Sequence, residues 1–170
     1  MSSVYTLSAN FFEQLEQHDY SFLCSILFRF TNPQNPHKIA VDSESLVILK
    51  YQEITQNKFC ADIIRTWMEM LANIPTSMQR YNIDLSKVTN PEDMCIELCS
   101  KINGRKILII HSANTFCKAI DDNNSIMHDG KVINIIDKDK AQSELNNNTI
   151  LNVSNSIIAG NNVSNSTNNP

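Results

Sequence analysis

The chain is poor in glycine, with three in 170 residues, and these stand far apart at Gly104, Gly130 and Gly160. No glycine-rich loop can wrap a phosphate group, which excludes the common nucleotide-binding signatures. Aromatic residues make up 7 % and tryptophan occurs once, at Trp67. No apolar run approaches the roughly 20 residues that a membrane helix needs. The start, Met1-Ser2-Ser3-Val4-Tyr5, has neither the basic stretch nor the apolar stretch of a secretory leader. A cytoplasmic protein without membrane association is therefore expected. Positive charge is also scarce: 14 Lys and Arg against 18 Asp and Glu give a net charge of -4. That argues against a polybasic surface for DNA or lipid, since counterion release needs clustered cations.

Cysteines number five, and none forms a CxxC pair. Cys24, Cys60, Cys95, Cys99 and Cys117 fit a reducing compartment, with most in apolar stretches as small hydrophobes. Cys95 and Cys99 share a helix face, but His18, His37, His111 and His128 offer no matching zinc spacing.

Hydrophobic residues reach 42 %, enough for the core of one ordinary domain. The composition changes near Leu145. Residues 1–145 hold every charge, whereas 146–170 hold none, and ten of those 25 are Asn. Asn152-Val153-Ser154-Asn155-Ser156 recurs as Asn162-Val163-Ser164-Asn165-Ser166, with Ile157-Ile158-Ala159-Gly160-Asn161 between. Composition reads this tail as disordered. The competing reading is cross-β stacking, in which uncharged Asn side chains ladder between β-branched residues.

In the body, apolar periodicity alternates between strand and helix. Strands are expected at Val4 to Leu7, Lys38 to Asp42, Lys106 to Ile110 and Lys131 to Ile136. Helices are expected after Ser8 or Asn10, with a break at His18-Asp19. Further helices are expected from about Leu46 to Gln56, Ala61 to Asn73, Pro91 to Ile102, and Lys138 to Leu145. A short strand or irregular segment is expected within Asn82 to Thr89, and a short helix over Asn114 to Ala119. Alternation of this kind predicts a parallel α/β sandwich, whose working site lies at the carboxyl ends of the strands. Ser8-Ala9-Asn10, Asp42-Ser43-Glu44 and His111-Ser112-Ala113-Asn114 stand at those ends, and Glu92-Asp93 opens a neighbouring helix.

Several segments carry a family resemblance. Val4 to Asn10 sits where PIN-domain nucleases have a strand followed by Asp-Thr-Asn. Lys38 to Glu44 with Ile48-Leu49-Lys50-Tyr51 is similar to their second strand and helix. Asp93-Met94-Cys95-Ile96-Glu97-Leu98-Cys99 resembles their acidic helix, Ile107 to Ala113 their Ile-Leu-Ile-Thr-x-Asp strand, and Val132 to Ala141 their closing strand and helix. The order covers residues 3–145. The resemblance implies a three-layer fold, a short central parallel sheet flanked by helices. It also implies carboxylates converging on Mg2+ or Mn2+ to activate water against a phosphodiester.

The sequence departs from that pattern at its acids. Ser8 takes the first Asp position, Lys50 the helix Glu position, and Ala113 lies where the third-strand Asp belongs. No Asp or Glu occurs from Leu98 to Ile120, and Asp93 alone clearly survives. The expectation is a degenerate domain with no catalytic residues and no metal, acting as a protein-interaction or signalling module. The alternative is a metal-dependent ribonuclease with a rearranged site. It would use Asp42, Asp93 and Glu53, or Asp42, Glu44 and Asp93 with Asp121 or Asp122, around Mg2+ or Mn2+. Nucleic-acid binding without cleavage would need Lys50, Lys101, Arg105 and Lys106 on one face. Asp42 and Asp93 also serve as helix caps, and His111 as a hydrogen-bonded structural residue, with no chemistry required.

Ser156 to Asn162 resembles the amyloid-signalling motifs of bacterial and fungal immune proteins. By that resemblance Ile157, Ile158, Gly160, Asn161 and Asn162 would pair with a like segment through unpaired backbone groups. That implies a role in bacterial defence, with a protein partner or self-association through the tail.

Overall fold

A computed structural model describes residues 3–34 and 37–146; the tail motif lies outside the described residues. Six strands form one sheet: β1 (Val4–Leu7), β2 (Lys38–Asp42), β3 (Met78–Tyr81), β4 (Ile107–Ile109), β5 (Ser125–His128) and β6 (Lys131–Ile136). Their spatial order is β3-β2-β1-β4-β6-β5. Helices α1 (Ala9–Glu13), α2 (Tyr20–Thr31), α3 (Leu46–Thr55), α4 (Ala61–Asn73), α5 (Pro91–Lys101) and α6 (residues 138–146) flank it as three layers.

The central strands carry side chains that are buried on both faces. Tyr5, Thr6 and Leu7 of β1 and Ile107, Leu108 and Ile109 of β4 are all inaccessible or nearly so. That explains their near-continuous apolar runs, since helices cover a parallel sheet on each side. β1 pairs with β2 and with β4 in parallel, and β4 with β6. In α4, Ile64, Trp67, Met68 and Leu71 are buried at helical spacing. Trp67 joins Phe12 and Tyr51 in an aromatic cluster, with the Phe12 and Tyr51 rings 4.4 Å apart. Its place is therefore the core.

Three elements depart from the expected pattern. The third strand is Met78–Tyr81, just before the segment assigned to it, and Leu85–Lys87 forms a 3-10 turn. β3 is an edge strand and only partly buried, so it shows no apolar run. An additional strand, β5, runs antiparallel to β6. Asp129 and Gly130 make the turn between them with φ of 51° and 69°. Two consecutive positive φ values are the geometry that an Asp-Gly hairpin turn supplies. The short helix at Asn114 is reduced to a 3-10 turn, Ala113–Thr115.

Candidate functional site

From β1 the chain moves one way along the sheet to β2 and β3, then returns to β4 on the other side. This reversal makes the carboxyl ends of β1 and β4 the switch point of the sheet, the place where doubly wound sheets form a ligand crevice. Ser8 and Asn10 leave β1 here, His111 and Ser112 leave β4, and α5 points its first turn at the same place.

Ser8 is fully buried and serves the backbone. Its N–H donates to Ile109 O at 2.9 Å, and its Oγ accepts from Phe11 N at 3.1 Å, capping α1. Asn10 is the tie across the crevice. Its Oδ1 accepts from His111 N at 3.0 Å and Ser112 N at 3.2 Å, and its backbone N–H donates to Glu92 Oε1. Glu92 is 7 % exposed, and its Oε2 has no hydrogen-bond partner. Burial, reinforced by the Glu13 and Asp93 carboxylates, pushes its pKa up to about 7 although Asn10 pulls it down.

Asp93 is charged but already occupied. Its Oδ1 pairs with Lys118 Nζ at 2.9 Å, and its Oδ2 accepts from Asn90 Nδ2 at 3.2 Å and from the Thr89 hydroxyl. Burial raises its pKa, but the bonds from Thr89 and Lys118 outweigh burial and hold it below the usual carboxylate range. His111 Nε2 lies 3.1 Å from Asp19 Oδ2, while Lys138 Nζ pairs with Asp19 Oδ1 at 3.1 Å. Burial works against ionised Asp19, yet Glu16 N–H, Lys138 and His111 bring its pKa down to about 2.

The other sequence candidates lie apart from this crevice. Asp42 ends β2 and caps α3, accepting from Glu44 N, Leu46 N and Val47 N at 3.1, 2.9 and 2.8 Å. Ser45, at the usual capping position, has φ of 64° and makes no cap, so Asp42 replaces it. Glu53 pairs with Lys50 at 2.5 Å on α3. Asp121 folds onto its own turn, accepting from Ser125 N and Oγ at 2.8 Å each and from Asn123 N at 3.0 Å. Ala113 is exposed in the turn after β4. Of the four cations needed for a basic face, Lys101 pairs with Glu97 and Arg105 with Glu144, as Lys50 does with Glu53.

Hard divalent cations need several free carboxylate oxygens around one point. Asp93 is neutralised by Lys118, and Glu92 is half-protonated near neutral pH by its raised pKa. Ser8 is consumed as a cap. The crevice residues do not fit a Mg2+ or Mn2+ pair. Among the described residues, only Glu97, His128 and Asp129 bring three donor atoms of His, Cys, Asp or Glu within 4.8 Å of one another.

Glu92 is placed by the sequence near the strand ends only as a first-turn acid of a neighbouring helix, not as a site residue. Its signal was present: it comes directly after Pro91 in the first turn of a helix that abuts the crevice. Comparison with protein families, with curated proteins and with solved structures finds no match.

Proposed function

We propose that this chain is a catalytically degenerate PIN-like domain that works as a protein-interaction or signalling module in bacterial defence, its tail mediating homotypic assembly. The observation that supports this reading is the pairing of Asp93, the surviving acid, with Lys118. Thr89 and Asn90 occupy Oδ2 with three hydrogen bonds, so even if Lys118 gave way Asp93 would offer a cation one oxygen, too few for a catalytic pair. The strand order, reversing between β1 and β4, supplies the crevice that such a domain retains. Asp42, the strand-end acid required by the ribonuclease alternative, is committed to three backbone amides.

The test is calorimetric titration of the full chain with Mg2+ and Mn2+, together with an RNA cleavage assay supplemented with Mn2+. The expected outcome is no saturable heat that Asp93→Asn removes, and no cleavage. Cleavage that disappears in Asp93→Asn would establish the ribonuclease instead. The tail's role rests on residues 146–170 as sequence. Full-length protein is expected to form thioflavin-positive assemblies that Ile158→Asp abolishes while the circular dichroism of the body stays unchanged. Assemblies that persist in the variant would remove the tail from the proposal.

A further inference from the structure

Glu97 is a fully buried carboxylate on the helix that opens at the crevice, but it takes no part there. Two segments from outside α5 and a lysine one turn further along the helix close over it. The backbone N–H of Asp84 donates to its Oε1 at 3.1 Å, Lys101 Nζ pairs with the same oxygen at 2.7 Å, and His128 Nε2 approaches Oε2 at 2.7 Å. Asp129 comes after His128 in the hairpin turn, with its carboxylate paired to Lys87. His128 lies opposite Lys131, the first residue of β6, so the cluster sits at the amino end of that strand, whereas the crevice lies at carboxyl ends.

The donors are of mixed type: one imidazole nitrogen and two carboxylate oxygens, mutually within 4.8 Å. Around one ion with bonds of about 2.1 Å, neighbouring donors stand about 3–3.5 Å apart. Small side-chain shifts bring these three to that spacing, with His128 and Glu97 parting slightly. Imidazole with carboxylate suits a borderline transition ion better than Mg2+ or Ca2+. Three carboxylates (Glu97, Asp129 and Asp84, the last 4.0 Å from Lys87) are balanced by the ammonium groups of Lys87, Lys101 and Lys131, the last on Ser100 O at 3.1 Å across the hairpin from His128. Lys87 is 39 % exposed and joined to Asp129 at the surface, so it can yield its place to an incoming ion at little cost. Lys101 stays on the other oxygen of Glu97.

We propose that Glu97, His128 and Asp129 bind one divalent transition-metal ion of the zinc type, with water completing its coordination. The ion clamps the β5–β6 hairpin onto α5. It is independent of the crevice and of the function proposed above.

The test uses the full chain in metal-free buffer at about pH 7.5, titrated with zinc chloride by calorimetry and then taken through thermal unfolding. One equivalent is expected to bind and to raise Tm. His128→Gln and Asp129→Asn are each expected to weaken binding about tenfold or more. Lys87→Ala is expected to tighten it severalfold, because it removes the competing cation. Cys117→Ser and Asp93→Asn leave it unchanged. Absence of saturable one-equivalent binding in the natural chain overturns the site, whatever the Lys87→Ala chain does. So does binding that survives both ligand substitutions or vanishes with Cys117→Ser. Should the ligand variants lose native circular dichroism, Lys87→Ala decides: an unchanged affinity overturns the proposal.

Discussion

Glu92 shows how one side chain couples fold to pH. Its carboxyl is desolvated between α1 and α5, with one oxygen on Asn10 N–H and the other without a partner. The folded chain therefore holds a proton up to about pH 7, whereas an unfolded glutamate releases it near its ordinary value of 4.5. Between those values the folded state binds more protons, so stability falls as pH rises, then levels off above pH 7. Glu92→Gln keeps the acceptor for Asn10 and removes the titration. Its urea midpoint is expected to stay flat where the natural chain declines from pH 5 to 8. The difference reaches the order of 1–3 kcal/mol at pH 8. A parallel decline in both proteins would place the titrating group elsewhere. The residue was readable in the sequence as a first-turn acid. Its burial was not, because that depends on Asn10, 82 positions away.

At the scale of elements, helix starts were readable and their capping partners only partly so. Asn90 caps α5, accepting from Asp93 N at 2.9 Å, with Pro91 next to it as local chemistry requires. Asp42 instead reaches past Ser45 to hold the first turn of α3. Asp42→Ala is expected to cost about 1–2 kcal/mol of stability in a denaturant titration. A cost no larger than that of an exposed substitution would refute its role as the cap. α5 is instructive in another way. Glu92, Asp93, Glu97 and Ser100 are buried along with Cys95, Ile96, Leu98 and Cys99. A helix enclosed on nearly all sides needs no apolar stripe when its buried polar groups are mostly partnered: Asp93 and Glu97 are held from outside the helix, Ser100 by the Glu97 carbonyl, and Glu92 Oε2 is the exception. The β5–β6 hairpin could have been found, since Asp129-Gly130 lies between segments of β propensity. The polar run preceding Ser125 concealed it.

For the whole molecule, the paired carboxylates set the acid limit. Asp19 and Glu97 have folded pKa values of about 2, because their ammonium, imidazole and backbone partners outweigh burial. Their stabilisation is present above the ordinary carboxylate range near pH 4 and is lost as pH falls toward 2. Taken with Glu92, this predicts a stability maximum near pH 4–5 rather than at neutrality. Thermal unfolding across pH 2–8 checks it: a maximum above pH 7 would contradict the raised pKa of Glu92, and no loss of stability below pH 4 would contradict the lowered values of Asp19 and Glu97.

The sequence by itself determined the alternation of strands and helices, the capped start of α5, and the non-acidic side chains at Ser8, Lys50 and Ala113. These arise from local propensity and side-chain type, which neighbours in the chain specify. Tertiary structure decided the strand order, the antiparallel edge, and the partners of Asp42, Glu92, Asp93 and Glu97. Those depend on which desolvated groups meet across the sheet, and burial energetics act on contacts that chain spacing does not encode.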